Sequence, residues 1–513
     1  MDTNDKNALG PGGDYERLAY LSLPFAYTQP AHLAALAALH GIDAPAAESA
    51  NVLELGCASG GNLIPLAVRF PEARFLGLDL AERQIADGKR KIAALGLKNI
   101  ELRQADIATA ALPAGSFNYV ICHGVYSWVP PAVQEAVLRL TNSCLVDNGV
   151  AAISYNVLPG WHLRSVLRDI FLHHAGKAGS PQERVARVRE LLPQLAEAAQ
   201  RSSPYGQVLG HEAKLLARMP SSYILGEFLA HNNVPCSFQD FTNRAAGHGL
   251  SYLCESDLGA TARHLLKPEA RKIVAGLGGG ETLAAEVYLD MFTGRPFRRS
   301  ILIKSGRTGM KPPALQSANL QTLHVSGNLK PVPAKNAGNL IAFVDDRGQS
   351  ISTAEASIAA ALTTLGAAFP GSCSLTDLAP EIRERSIVAR AVLNLALEGR
   401  VTLSTLALHV GRATDAKPKV WSLARTEAAA GLPGVTSLRH VTAALPKPVL
   451  AIAAKLDGSR DRIELTQWMI RALDSGSFAD VEPPNGQSRP ARASNLIDDA
   501  LRRLAECGLL SID

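Results

Sequence analysis

Between residues 51 and 62 a short apolar run of Val52, Leu53 and Leu55 gives way to a glycine-broken turn at Gly56, Gly60 and Gly61. Apolar residues then return at helical spacing over 63–68. That order predicts strand, turn and helix. The alternation continues, with strands predicted over 74–78, 100–103, 119–122 and 150–155. Helices are predicted over 82–95 and 132–145, and Asn148-Gly149 is read as a turn. Strands and helices alternating at this spacing imply a parallel, doubly wound α/β sheet, whose ligands bind outside the carboxyl ends of the strands. Gly56, Asp79, Asp106, His123 and Tyr155 all fall at those ends.

The pattern changes after residue 164. Residues 165–219 read as a charged, amphipathic helical stretch, longer than a minimal α/β core needs, and suit either a cap over the site or a dimerisation element. Tyr223 to Phe228 and Asn232-Asn233-Val234-Pro235 follow, with a substrate loop one reading of them. Helices are then expected over 238–247 and 281–292, and strands over 250–254 and 299–304. Residues 306–313, rich in Lys, Gly and Pro, read as a linker.

Beyond the linker, strands over 320–325 and 340–344 and a hairpin turn at Asp345-Asp346-Arg347-Gly348 precede helices over 353–365, 375–382 and 387–398 and a strand over 401–403. A related order recurs, with helices over 446–456, 463–473 and 495–507, a loop over 483–490 and a closing strand over 509–512. Both read as α+β winged-helix-like modules. The expected domains are an N-terminal arm with the cofactor core (1–164), a helical insertion (165–235), completion of the sheet (236–305) and two C-terminal modules (306–425 and 426–513). The arm carries Pro24, Phe25 and Tyr27 ahead of an Ala/Leu helix over 31–39, and reads equally as a lid or as packing.

Composition narrows the class. At 513 residues the chain needs several cores, and a net charge of +5 is too slight to mark a nucleic-acid surface. The start lacks an export signal and no apolar run is long enough to span a bilayer, so no membrane insertion is expected. Seven scattered cysteines without a C-x-x-C pair suit reduced thiols in a cytoplasm, and no metal is expected: His162, His173 and His174 do not converge.

The turn decides the cofactor. A dinucleotide turn reads G-x-G-x-x-G, whereas Glu54 to Gly60 follow E-x-G-x-x-x-G and resemble class I S-adenosylmethionine-dependent methyltransferases. The resemblance implies a Rossmann-like fold with an antiparallel edge hairpin and S-adenosyl-L-methionine as cofactor. By it, Glu54 opens the motif, Gly56 and Gly60 approach the methionine part, Asp79 with Leu80 meets the ribose, and Asp106 with Ile107 frames the adenine. Ala58 stands where the motif usually has its middle glycine. His123-Gly124-Val125-Tyr126-Ser127-Trp128-Val129-Pro130, Ser154-Tyr155-Asn156-Val157-Leu158-Pro159-Gly160-Trp161-His162 and the arm with Pro24-Phe25 are similar to bacterial methyltransferases that carry a methyltransferase regulatory domain. That group includes protein-lysine methyltransferases modifying outer-membrane proteins.

An amine acceptor suits the aromatics. Tyr126, Trp128, Tyr155 and Trp161 are candidates to hold an alkylammonium by cation–π attraction, about 0.5–2 kcal/mol per contact. His123, which also borders the cofactor, or Tyr155 is a candidate to take a proton or align the lone pair. The alternative is that these rings only wall the pocket or pack the core. Three functions follow: methyl transfer to a protein lysine, methyl transfer to a small molecule or peptide, and cofactor sensing without catalysis. A protein substrate is expected, a homodimer is one use of the insertion, and DNA is not expected, because the last helix mixes Arg502 and Arg503 with Asp498, Asp499 and Glu506.

Overall fold

The computed structural model describes residues 22–199, 203–261, 266–307, 313–333, 340–475 and 488–512. The polar start, most of the 306–313 linker and residues 483–487 of the expected loop lie outside the described residues. Two units divide the rest: residue 22 with residues 42–314, and residues 23–41 with residues 315–512.

In the first unit one sheet carries strands β1 (Asn51–Leu55), β2 (Arg74–Asp79), β3 (Ile100–Gln104), β4 (Phe117–Cys122), β5 (Leu145–Leu158), β6 (Cys236–Ser237), β7 (Leu250–Glu255) and β8 (Phe297–Lys304). Their order is β3-β2-β1-β4-β5-β8-β7, with β6 paired to the far end of β5. β1 lies between two parallel neighbours, Leu53 facing Leu76 on β2 and Val120 on β4, so it is apolar on both faces. β8 runs antiparallel to β5 and β7, and these last two strands form the expected edge hairpin.

β5 departs from the sequence reading. It begins at Leu145, five residues before the expected start, and the register jumps from Phe117 opposite Leu145 to Tyr119 opposite Val150. Asn148-Gly149 therefore sits in a bulge inside the strand and not in a turn before it.

The insertion is helical, as its amphipathic pattern requires. Helices Trp161–Ala175, Pro181–Ala198 and Pro204–Leu216 and the segment 221–229 surround a core of their own, built from Leu167, Phe171, Val188, Leu209, Ile224 and Phe228. Ser180 and Glu183 close a reciprocal capping box at the start of the second helix. Residues 225–229 form a π-helical turn.

In the second unit, strand His324–Ser326 pairs with Cys373–Ser374 and Thr402–Ser404, and Ile341–Val344 pairs with Lys330–Val332 and Ser350–Thr353. The Asp345 turn forms as expected: Asp345 Oδ1 accepts from the N–H groups of Arg347 (3.0 Å) and Gln349 (2.9 Å). The strand expected over 320–325 is present only from His324, because residues 317–322 form a 3₁₀ helix.

Two domain limits move. Lys419–Val420 pairs with Leu510–Ser511, so the last module begins before residue 419 and not at 426. Residues 23–41 belong to the second unit, not to the cofactor core. Helix Pro30–Leu39 buries eight of its ten residues, and its neighbours are Leu403, whose carbonyl meets His32 Nδ1 at 2.8 Å, and Asn319, which donates to Ala38 O at 2.8 Å. A helix apolar on every side needs core around it, which a surface lid does not provide.

Candidate active site

The glycine turn is shaped by three left-handed residues: Gly56 (φ +80°), Ala58 (φ +48°) and Gly60 (φ +76°). A Cβ on Gly56 would lie 2.1 Å from Val125 Cγ2, so this position excludes any side chain on both backbone and spatial grounds. Ala58 keeps the left-handed conformation that makes glycine usual there. Its N–H donates to Asp79 Oδ2 at 2.7 Å, and Ala81 N–H donates to Asp79 Oδ1 at 2.9 Å. The carboxylate at the end of β2 thus ties the first turn to the second.

Two glycines escaped the sequence reading. A Cβ on Gly77 would lie 2.6 Å from Cys57 Sγ, and one on Gly88 would lie 2.8 Å from the Ser59 carbonyl. Both let the turn sit down on β2 and on helix Glu82–Ala94. Nothing in the local pattern marks them, because the clash is with residues about twenty to thirty positions away.

Glu54 is buried beneath the turn. Oε1 accepts from Asn62 Nδ2 at 2.8 Å, while Oε2 is buried without a hydrogen-bond partner. Burial pushes its pKa up to about 8; the Asn62 hydrogen bond opposes that and the Asp79 charge adds to it. At neutral pH the group is a carboxylic acid with a proton to donate. Leu80 is 45% exposed just past the end of β2, and after β3 Asp106 Oδ1 caps its own turn by accepting from Ala108 N–H at 2.8 Å. Ile107 anchors that turn in the core. A turn without side chains at its closest approach, an orphaned carboxyl oxygen beneath it, an acidic strand end and an exposed leucine fit S-adenosylmethionine.

The four candidate aromatics do not form one cage. Tyr126 and Tyr155 are buried on the core side: Tyr155 stacks on Phe241 with ring centres 3.9 Å apart, and Tyr126 meets the same ring edge-on at 5.4 Å. The Tyr155 hydroxyl is within 3.0 Å of Ser300 Oγ, and burial drives the phenol well above its usual range. Tyr155 thus packs in the core with its hydroxyl beside Ser300. Trp128 and Trp161 make a separate edge-to-face pair at 5.9 Å, with Trp128 half-buried. Arg164 lies over Trp161 at 5.7 Å and donates to the Tyr223 hydroxyl at 3.0 Å.

His123 stands at the end of β4, edge-on to Phe297 at 6.2 Å. Burial, and then the Arg299 charge, push it down to about 3, so its imidazole is neutral and too weak a base to deprotonate an ammonium unaided.

Ser127, also missed, organises the loop after β4. Its Oγ accepts from Asn156 N–H at 2.8 Å and its carbonyl from Val234 N–H at 2.7 Å. Behind Tyr155 lies a buried charge cluster. Arg298 bonds Glu255 (2.8 Å), Asp290 (2.8 Å) and Glu286 (3.0 Å) and covers the Phe238 ring at 3.9 Å. Ser300 Oγ donates to Glu255 Oε1 at 3.0 Å, joining Tyr155 to this cluster. Among the described residues no group of three or more His, Cys, Asp or Glu is placed to hold a metal, and no helix is long and apolar enough to cross a membrane.

Three family profiles match successive parts of the chain: a methyltransferase domain over residues 52–149, a predicted methyltransferase regulatory domain over 220–304 and a PKMT C-terminal winged helix domain over 416–509. Two uncharacterized proteins of Rickettsia prowazekii are 39% identical over 301 residues and 34% identical over 232 residues. The first alignment takes in 58% of this chain but only 54% of that relative's length; the second takes in 45% of this chain and 93% of the relative. The solved structure of PKMT2 from Rickettsia typhi in complex with AdoHcy is 26% identical, with a TM-score of 0.83 over 96% of this chain and 99% of that one.

Fold and site together define a Rossmann-like, S-adenosylmethionine-dependent methyltransferase. The chain belongs to the family that joins this core to a methyltransferase regulatory domain and a PKMT-type winged helix.

Proposed function

We propose that this methyltransferase modifies an amine, the side-chain nitrogen of a protein lysine. The observation that carries the reading is the likeness to PKMT2 along almost the whole chain, C-terminal modules included. An enzyme acting on one side chain of a large protein gains from binding surface remote from the reaction, which those modules supply.

When bound, the cofactor supplies a methyl group already activated on a sulfonium sulfur. The protein's task is to align a neutral amine and exclude water. Trp128 and Trp161 offer an aromatic wall for an alkyl chain ending in nitrogen. Arg164 and Arg299 place positive charge near this end of the sheet, which together with desolvation lowers an ammonium's pKa and favours the nucleophilic form. Neutral His123 adds no competing charge.

The test is incubation with methyl-labelled cofactor and a proteome from the same cell, followed by mass spectrometry of labelled peptides. Methyl-lysine in protein is expected, with Trp128→Ala raising KM for the labelled protein about 2- to 30-fold, the equivalent of about 0.5–2 kcal/mol. Label confined to the small-molecule fraction would replace the lysine reading by a metabolite acceptor.

A further inference from the structure

Buried polar atoms without partners are few in native proteins, because each costs roughly 1–3 kcal/mol. Around the Ser127-Trp128 loop several occur together. Asn156 Nδ2, both Nδ2 and Oδ1 of Asn233, and Trp161 Nε1 are all buried without a hydrogen-bond partner. Ser127 holds the backbones of both asparagine segments, through Asn156 N–H and the N–H of Val234, so the two segments flank one loop. Trp161 meets Trp128 on that same loop.

The alternation of β5 fixes which way Asn156 faces. Tyr155 points into the aromatic core, so Ser154 and Asn156 occupy the other face. Ser154 Oγ accepts from Gly124 N–H at 2.8 Å, which marks that face as the one toward His123-Gly124. The register partner of Asn156 is Phe297, the ring that His123 touches. Asn156 is 1% exposed, yet only its backbone is bonded. It therefore stands at the carboxyl end of β5, beside the neutral histidine, with amide valences that the protein leaves unfilled.

We propose that Asn156 and Asn233 form the binding site for the acceptor nitrogen: Asn233 Oδ1, and Asn156 Oδ1 once that amide turns over to stand where the unpartnered Nδ2 lies, accept its N–H groups while Trp128 and Trp161 flank the alkyl chain. The chemistry selects a primary or secondary alkylamine, and the proposal rests on the amine reading given above. Neutral amides suit the task better than carboxylates. A carboxylate within about 4–6 Å would raise the ammonium's pKa by about 1–3 units and hold it in the unreactive form, whereas an amide accepts from the neutral amine without that bias. Each methyl added removes one N–H, so the pair holds an unmethylated nitrogen better than a dimethylated one.

The full chain, loaded with AdoHcy, is titrated with n-butylamine by calorimetry, and turnover is measured separately with polylysine. Asn156→Ala and Asn233→Ala are expected to weaken n-butylamine binding at least tenfold and to lower kcat on polylysine at least thirtyfold, with AdoHcy affinity within threefold of wild type. Asn156→Asp, the same shape with a charge, is expected to move the pH–rate profile upward by about 1–3 pH units, since an added carboxylate holds the ammonium. Its melting temperature, with that of Asn233→Ala, guards against loss of fold in the alanine variant at 156. Wild-type amine binding and turnover in the variants, or equal loss of AdoHcy affinity, would overturn the assignment. Butylamine binding that depends on both asparagines, without label in polylysine or any protein, would support the amine site while removing the lysine reading.

Discussion

Replacing Arg298 by methionine keeps much of the volume and removes the charge. Arg298 makes five hydrogen bonds, to Glu255 Oε1, both Asp290 carboxylate oxygens, and the carbonyl and Oε2 of Glu286. All three acids are at most 3% exposed. With the arginine gone they retain Arg295, which lies 3.5 Å from Asp290 and 3.9 Å from Glu286 in poorer geometry. Breaking a buried pair by deleting one partner costs about 3–5 kcal/mol, a large fraction of the roughly 5–15 kcal/mol that holds a domain together. The pH dependence follows from Glu255. Burial by itself raises its pKa, but Arg298 and then Arg295 outweigh that and hold it below the usual carboxylate value. In the native protein its contribution is present above its unfolded pKa and is lost as pH falls through the depressed one. Without Arg298 burial wins, the sign reverses, and the variant gains stability relative to wild type on acidification. Hydrogen exchange followed by mass spectrometry over 250–255 and 297–304 reads the unit locally, which matters because a chain of two units need not unfold in one step. Protection is expected to fall about 150- to 5000-fold at pH 7.5, the equivalent of about 3–5 kcal/mol, and the deficit to narrow at pH 5.5. A deficit under about 1 kcal/mol, or one that ignores pH, would refute the reasoning.

Asp79→Ala removes the acceptor for Ala58 N–H and Ala81 N–H and so loosens the glycine turn; cofactor Kd is expected to rise about 100-fold by calorimetry, from two charge-assisted bonds of about 1.5–3 kcal/mol each less what water restores. Ala58→Gly relieves a left-handed alanine costing about 1–2 kcal/mol and gives back part of that in chain entropy, so thermal unfolding should show a gain of up to about 1 kcal/mol; destabilisation would contradict the strain. Glu54, with its pKa raised to about 8, contributes stability that is full below its unfolded value and lost as pH rises through 8. Glu54→Gln should therefore flatten the dependence of melting temperature on pH between about 5 and 8, and an unchanged slope would show that the burial penalty is relieved elsewhere.

The strand, glycine turn and acidic strand ends of the core were legible because their signals are local: apolar runs and glycine spacing lie within a few residues of the turns they form. The acceptor half was less so. That Tyr155 would turn away from the face shared by Ser154 and Asn156 follows from the period of a strand, but which face meets the ligand depends on where helix Phe238–Gly247 packs, and Phe241 is the residue that decides it. The Arg298 cluster was invisible, since Glu255, Glu286, Asp290 and Arg298 come from two strands and a helix with nothing but three-dimensional proximity in common. Two-residue strands such as Cys236–Ser237 and Lys419–Val420 carry no periodicity at all, and the second cost the last module its true beginning.

The alternation along β5 has a consequence for how acceptor preference can change. Ile153, Tyr155 and Val157 belong to the continuous core, while 154 and 156 lie on the opposite face. Residues that hold the fold and residues that meet the acceptor thus interleave in sequence yet are separated by the thickness of a sheet. Substitution at 156 would change what meets the acceptor while 153, 155 and 157 keep their places in the core.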